Sequence, residues 1–117
     1  MEAGRDVRAV VCGGRDFRDQ ELVDRTLDSL GITVLIEGGA NGADALASAW
    51  AFRNRVPWAR YKADWTLYGN AAGPVRNQQM LTEGKPDVVV AFPGGSGTAD
   101  MVRRARLAGV HVLEVKS

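Results

Sequence analysis

Hydrophobic residues along the chain follow two different spacings. Short runs in which most residues are apolar or β-branched are followed by longer stretches in which apolar residues recur every three or four positions. The first spacing is typical of strands buried on both faces, and the second is typical of amphipathic helices. The predicted strands are Arg8–Cys12, Thr33–Glu37, Trp58–Lys62, an apolar run that begins at Val88, and His111–Val115.

Four helices are predicted between these strands. Polar caps and proline favour the start of a helix, whereas glycine favours its end. Residues 63–73 have no clear period and are predicted to form the longest loop, at a length that usually has a functional reason. The first helix follows Asp19 and stops at Gly31, and the second follows Asn41-Gly42 and runs to about Arg55. The third helix starts at Pro74 and stops at Gly84, and the fourth starts near Thr98 and ends at Gly109.

The alternation of strands and helices predicts an α/β fold. Parallel strands joined by right-handed crossovers form a sheet with helices on both faces. The expected strand order is 3-2-1-4-5, and ligands of such sheets bind at the carboxyl ends of the strands where the winding reverses. At 117 residues the chain is expected to form one three-layer domain, residues 1–117.

Three glycine-rich turns follow strands one, two and four, which are neighbours in the predicted sheet. Glycine lets the backbone aim several N–H groups at one point, and the helix after the last turn adds the positive end of its dipole. We therefore predict a phosphate-binding crevice, although each turn taken alone could be a connection that binds nothing. The turns are Gly13-Gly14-Arg15-Asp16, Gly38-Gly39-Ala40-Asn41-Gly42-Ala43-Asp44 and Pro93-Gly94-Gly95-Ser96-Gly97-Thr98.

Composition narrows the expected partners and location. Fifteen Lys and Arg against fourteen Asp and Glu give a net charge of +1, which offers no electrostatic case for nucleic acid. No stretch resembles a signal peptide or a membrane span, so a cytoplasmic protein without a membrane partner is expected. Cys12 stands alone and no zinc-ligand spacing occurs, so neither a metal nor a cofactor is expected. Cys12, Trp50 and Trp58 are interpreted as core residues.

Five ordered motifs between about Val10 and Gly109 resemble those of a known family. They are similar to the YspA-type, cpYpsA-related branch of the SLOG superfamily. The resemblance implies a Rossmann-like fold that binds a nucleotide or a nucleotide-derived molecule (AMP, ADP-ribose or NAD-like), and assembly into homodimers or larger homo-oligomers. The motifs are Gly13-Gly14-Arg15-Asp16-Phe17, Gly38-Gly39-Ala40-x-Gly42-Ala43-Asp44, Ala63-Asp64-Trp65, Gly69 through Asn77, and Pro93-Gly94-Gly95-x-Gly97-Thr98-Ala99-Asp100.

The same resemblance raises an enzymatic alternative, because the superfamily includes phosphoribohydrolases of the Lonely-guy or lysine-decarboxylase-like type. Those enzymes carry an arginine that Arg76 matches and a glutamate whose position is occupied here by Met101. Asp100 stands one residue earlier, which on a helix is a rotation of about 100°. Arg76 and Asp100 are thus the candidate catalytic residues of an N-glycosidic hydrolase that releases the base from a nucleoside monophosphate. A third alternative is an interaction protein that binds no small ligand.

Side chains near the turns complete the predicted site. Arg15 and Arg76 could clamp a phosphate or form surface ion pairs. Asp64 and Trp65 could recognise a ribose hydroxyl and a base, or Trp65 could instead pin the loop from inside. Asp44 and Asp100 are expected in first helical turns, where the dipole favours a carboxylate whatever its function. The ligand-binding candidates are Gly13, Gly14, Arg15, Asp16, Gly38, Gly39, Ala40, Asp44, Asp64, Trp65, Arg76, Asn77, Pro93, Gly94, Gly95, Ser96, Gly97 and Thr98.

Overall fold

The computed structural model of the protein describes residues 6–117, whose strands form a five-stranded parallel sheet. The strands are β1 (Arg8–Cys12), β2 (Val34–Glu37), β3 (Trp58–Arg60), β4 (Val88–Ala91) and β5 (His111–Glu114). Their order across the sheet is β3-β2-β1-β4-β5, which confirms the predicted order. The winding reverses between β1 and β4, which pair in register from Ala9 with Val88 to Cys12 with Ala91.

Helices connect the strands and cover both faces of the sheet. The helices are α1 (Gln20–Asp28), α2 (Ala43–Arg53), α3 (Trp65–Tyr68), α4 (Ala72–Thr82) and α5 (Ser96–Leu107), with a 3₁₀ turn at Gly69–Ala71. As predicted, Asp19 caps the first helix, because its carboxylate accepts a hydrogen bond of 3.0 Å from the Leu22 N–H. Within residues 6–117, no helix combines the length and the apolar character that crossing a membrane requires.

The central strand β1 supplies both halves of the core. Successive side chains of a strand point to opposite faces of the sheet. Ala9 and Val11 accordingly pack among residues of α1 and α2, whereas Val10 and Cys12 pack among residues of α4 and α5. The neighbouring strand β4 is also buried on both faces. This packing fixes the carboxyl ends of β1 and β4, from which the glycine turns begin.

The structure corrects the prediction of a loop over residues 63–73. The short helix α3 and the 3₁₀ turn lie in this segment. The Asp64 carboxylate accepts a hydrogen bond of 3.0 Å from the Leu67 N–H, so Asp64 begins a helix instead of a loop. Helix α4 starts at Ala72, so Pro74 lies in its first turn, where no intrahelical N–H is needed.

The three tryptophans occupy different environments. Trp50 is 4% exposed, and its indole N–H donates a hydrogen bond of 2.8 Å to Asp28, which confirms its prediction as a core residue. Trp58 is 40% exposed, so its assignment to the core is wrong. The reason is that β3 is an edge strand, where Phe52 meets the Trp58 ring edge-on at 6.5 Å. Trp65 is 50% exposed and does not pin its segment from inside.

Candidate functional site

The three glycine turns meet at the carboxyl edge of the sheet. Gly14, in the first turn, donates a backbone hydrogen bond of 2.8 Å to the Pro93 carbonyl of the turn that follows β4. The Gly14 carbonyl accepts one of 3.1 Å from the Ala43 N–H, at the end of the turn that follows β2. The first turn thus joins the other two through its own backbone. The three turns therefore converge at one edge of the sheet, as predicted.

Two glycines make this close approach possible. Gly42 has a φ of +74°, and a Cβ added there would collide with the Gly14 carbonyl oxygen. A Cβ on Gly94 would lie 2.7 Å from the Gly14 nitrogen. Real Cβ atoms do not approach backbone atoms so closely, and side chains disfavour positive φ. These two glycines are therefore required by the packing of the turns on one another.

The turn before α5 presents an open helix N-terminus. Gly95 is the N-cap and offers no side chain to accept a hydrogen bond from the first turn of the helix. Gly95, Ser96 and Gly97 are exposed. The first N–H groups of any helix have no intrahelical acceptor, and together with the dipole they favour an anion. The helix begins two residues earlier than predicted, at Ser96, which places Asp100 in the second turn and not in the first.

The turn after β2 is closed by carboxylates of the protein itself. One oxygen of Asp44 accepts hydrogen bonds from the N–H groups of Gly38 at 3.0 Å and Ala40 at 3.2 Å. Glu37 accepts one from the Gly39 N–H, and its other oxygen accepts one of 2.7 Å from Arg60 Nε. The N–H groups that the sequence suggested for a ligand are thus already bonded.

Burial raises the pKa of Asp44 to about 6. The loss of hydration is the largest cause and the nearby Glu37 carboxylate adds to it, whereas the hydrogen bonds from the Ala40 and Gly38 N–H groups and the positive charge of Arg76 oppose it. Its second oxygen, Oδ1, accepts no hydrogen bond from any described residue. Since no fully buried side-chain oxygen of the described residues lacks a partner, Oδ1 retains some exposure, and Asp44 is one of the residues that line the crevice.

Glu37 is a site residue that the sequence reasoning missed. Its side chain is fully buried and holds both Arg60 and the second turn. A carboxylate at the end of an otherwise apolar strand was the available signal, because buried charges are rare unless they are paired.

Arg76 and Asn77 join α4 to the glycine turns. Arg76 Nη1 donates a hydrogen bond of 2.7 Å to the Gly38 carbonyl, and Arg76 Nε donates one of 3.1 Å to the Asn77 side chain. Asn77 is 4% exposed. Its amide nitrogen donates to the Gly97 carbonyl at 3.3 Å and to Asp100 at 3.0 Å. Asn77 therefore holds Arg76 and the start of α5 in a fixed relation.

Asp100 is held by three partners. Asn77 and Arg104 contact one carboxylate oxygen, and Arg103 contacts the other at 2.6 Å. Partial burial would raise the pKa of Asp100, but the hydrogen bonds from Asn77 and Arg104 outweigh it and hold the pKa below its usual value. Met101, at the position of the hydrolases' glutamate, is fully buried in the core.

A crevice of about 680 Å³ brings most of the predicted residues together. Arg15 lies at its mouth, with its guanidinium carbon 6.0 Å from the centre of the Trp65 ring. Cys12 lies on its floor, where burial, reinforced by the Asp44 carboxylate, raises the pKa of the thiol to about 12. The predicted residues that line the crevice are Gly13, Gly14, Arg15, Ala40, Asp44, Trp65, Arg76, Asn77, Gly95, Ser96, Gly97, Thr98 and Asp100.

Other predicted residues lie outside this crevice. Gly38 and Gly39 line an adjoining cavity, and Pro93 and Gly94 face a groove on the other side of α5. Asp64 lies in a depression beside Tyr68. Asp16 is exposed and lines none of these cavities. The structure therefore separates Asp64 and Asp16 from the open N-terminus of α5.

Comparison with known proteins identifies the family. A family model described as the YspA, cpYpsA-related SLOG family matches residues 7–68. The Gene 61 protein of Mycobacterium phage D29 is 36% identical over 118 aligned residues, which cover 91% of this chain and 94% of that protein. The chain belongs to the YspA, cpYpsA-related SLOG family. The residues matched by the family model include the first two turns and end before Arg76 and the turn that precedes α5.

A solved structure confirms the Rossmann-like fold of this family member. The X-ray structure of DNA processing protein A from Streptococcus pneumoniae superposes with a TM-score of 0.76 at 18% identity. The match covers 93% of this chain and 50% of that one, so the chain spans about half the length of the solved protein. At this identity the likeness concerns the fold alone.

Proposed function

We propose that the crevice binds a nucleotide or a nucleotide-derived small molecule, with AMP, ADP-ribose and NAD as the first compounds to test. The observation that carries the proposal is the open N-terminus of α5, which faces the same crevice as Arg15, Arg76 and Trp65. Backbone N–H groups and a helix dipole favour a phosphate, and arginine adds charge-assisted hydrogen bonds.

Each part of the ligand has a suitable neighbour in this proposal. The phosphate would bind the N–H groups of Ser96, Gly97 and Thr98. A base would stack on the half-exposed Trp65 ring, because aromatic faces offer large contact area to planar groups. Asp44 Oδ1 would accept a hydrogen bond from a ribose hydroxyl. Family membership supports the same ligand class but specifies no ligand.

Hydrolysis of an N-glycosidic bond is the second candidate function, and Asp44 is the observation that favours it. A carboxyl group with a pKa of about 6 at the crevice wall could exchange protons near neutral pH. It could also stabilise the positive charge that develops on the sugar. Asp100 is less suited to this role, since three partners hold its two oxygens. In this alternative Arg76 would contact the phosphate and Asp100 would position Asn77.

Calorimetric titration tests the binding proposal. Gly97 has open space around its missing side chain, so Gly97→Asp fits sterically and places a negative charge in the first turn of α5. We expect nucleotide affinity to fall at least tenfold, the equivalent of about 1.4 kcal/mol, while the fold is retained because a helix N-terminus favours aspartate. Gly97→Ala is the matched control and keeps the affinity.

Four outcomes separate the candidate functions. Heat with a nucleotide that Gly97→Asp abolishes supports binding at α5, whereas no heat with AMP, ADP-ribose or NAD contradicts the proposal. Release of free base during long incubation, lost in Asp44→Asn, favours the hydrolase. DNA oligonucleotides belong in the titration because the structure with the similar fold is that of a DNA processing protein. Binding of DNA but of no mononucleotide would overturn the predicted absence of a nucleic-acid partner.

The assembly into homodimers or larger homo-oligomers and the cytoplasmic location stay predictions. Exposed apolar side chains such as Phe52 and Leu107, which are 73% and 79% exposed, are where a second copy could pack. Sedimentation analysis of the free and nucleotide-loaded protein measures the assembly directly.

A further inference from the structure

The crevice continues past Trp65 into a second compartment. This compartment has a volume of about 430 Å³ and lies between the turn after β2 and the segment Lys62–Ala63. Both cavities share Arg15, Ala40, Trp65 and Arg76 as common wall residues. The second compartment does not include the open N-terminus of α5. A ligand that occupied both would therefore extend around the Trp65 ring.

The charged residues that line the second compartment are all cations. Its wall carries three cations, Arg15, Lys62 and Arg76, and no carboxylate. Within residues 6–117 none of these three forms a salt bridge. Three cations thus line one cavity although the net charge of the chain is only +1. Such a concentration of one sign favours a negatively charged ligand.

The nearby acids are committed elsewhere. Glu37 is occupied by Arg60 and by the Gly39 N–H. One Asp44 oxygen is occupied by backbone N–H groups, and its free oxygen faces the first compartment. Asp64 lines a neighbouring depression together with Lys62 and Arg76, and Asp44 attracts Arg76, but neither carboxylate lines the second compartment.

Arg76 and Lys62 each keep hydrogen-bond donors that are available to a ligand. Arg76 uses Nε and Nη1 for Asn77 and Gly38, which leaves Nη2 free of any partner among the described residues. The Lys62 stem packs on Gly39, where an added Cβ would lie 3.2 Å from Lys62 Cγ. Packing of the aliphatic stem restricts the side chain while the ammonium group stays exposed. Lys62 was not among the residues that the sequence pattern indicated.

We propose that this compartment is a second anion subsite, so that the crevice accepts a nucleotide with two phosphate groups attached at different positions. The inference rests on the proposed function and adds the class of ligand. One phosphate would bind at the start of α5 and the other at Lys62, Arg15 and Arg76. The two subsites lie in separate cavities, which disfavours phosphates that are joined to each other.

The test compares nucleotides that differ in the number and the placement of their phosphates. Adenosine and guanosine 5′-monophosphates, 5′-diphosphates and 3′,5′-bisphosphates are titrated by calorimetry into the full chain. The diphosphate and the bisphosphate carry the same number of phosphates at different positions, and the bisphosphate carries about one more negative charge near pH 7, so the lysine variants are needed to separate placement from charge. We expect the bisphosphate to bind about tenfold more tightly than the monophosphate or the diphosphate, because its second phosphate would gain one charge-assisted hydrogen bond in the second compartment.

Two lysine variants identify the subsite. Lys62→Gln removes one cation from the second compartment and is expected to lower the ratio of bisphosphate to monophosphate affinity about tenfold. Lys85→Gln removes the same charge from an exposed turn outside the crevice and should leave the ratio unchanged. Circular dichroism spectra of both variants verify that they are folded.

The results distinguish this inference from the proposed function. Equal affinity for diphosphate and bisphosphate, or equal effects of the two lysine variants, overturns the second subsite while nucleotide binding stands. Absence of binding by every nucleotide overturns both. A bisphosphate preference that Lys62→Gln removes and Lys85→Gln retains supports the inference.

Discussion

The turns after β2 and β4 look alike in sequence and differ in what their N–H groups do. Both contain a Gly-Gly pair and a third glycine, and both precede a helix. In the turn after β2, Glu37 and Asp44 accept the hydrogen bonds that a ligand would otherwise accept. Helices α2 and α5 both have a glycine N-cap without a side-chain hydrogen bond, but the first N–H of α2, that of Ala43, donates to the Gly14 carbonyl, whereas no turn of the described chain supplies an acceptor to the first N–H groups of α5. A glycine-rich turn therefore becomes an anion site only where no internal acceptor already fills it.

The same comparison extends to the carboxylates. Glu37 and Asp44 close the first of these turns by accepting hydrogen bonds from its N–H groups. Asp100 acts differently, because through Asn77 it holds the carbonyl of Gly97 without touching the free N–H groups. Glu37 and Asp44 thus occupy the N–H groups of the turn after β2, whereas Asp100 supports the turn after β4 and leaves its N–H groups available to a ligand.

Matched glycine substitutions give the largest expected difference between the two turns. Gly42→Ala forces a side chain into positive φ and against the Gly14 backbone, and we expect a loss of about 4 kcal/mol in the free energy of unfolding. Gly97→Ala meets no atom and should stabilise helix α5 by about 0.5 kcal/mol. Urea denaturation measures both values. Similar effects of the two variants would contradict the contrast between a packed and an open turn.

The pH dependence of stability tests the closed turn next. Well below pH 3.8 Asp44 is protonated in both states. As pH rises, the unfolded chain ionises first, since the folded pKa is raised from 3.8 to about 6. The free energy of unfolding should therefore fall by about 3 kcal/mol between about pH 3 and about pH 7 through this group. Asp44→Asn, whose amide oxygen still accepts hydrogen bonds, removes that loss. Parallel curves for the two proteins would refute the assignment.

Glu37 gives a smaller expected effect. Glu37→Gln retains an oxygen acceptor for one partner but loses the charge that holds Arg60, so we expect a destabilisation of about 2 kcal/mol. Arg106→Gln is the control, because its ion pair with Glu114 is exposed and should contribute less than about 1 kcal/mol. Thermal denaturation measures the melting temperatures of the two variants. Equal melting temperatures would show that the buried carboxylate does not stabilise the second turn.

Several features were predictable because their signals are local. The strand order follows from alternating strand and helix patterns and from the handedness of crossovers. The cap at Asp19 depends on residues three apart. Asp64 and Leu67 have the same spacing, so the start of α3 was also readable and was missed because the segment is short. The core position of Trp58 was mispredicted because its strand lies at the sheet edge, which a periodicity pattern does not reveal.

The sequence by itself determined the strand order, the meeting of three glycine turns at one edge and the residues available there. Tertiary structure alone decided which turn is open, because Arg60 reaches Glu37 across 23 positions and Arg76 reaches Gly38 across 38. It also placed Lys62 beside Arg15 and left Asp64 and Asp16 outside the crevice. The physical reason is that a backbone N–H group in a turn is either bonded or available depending on acceptors and charges that come from distant parts of the chain. Their distances are fixed only when the sheet and its helices have packed.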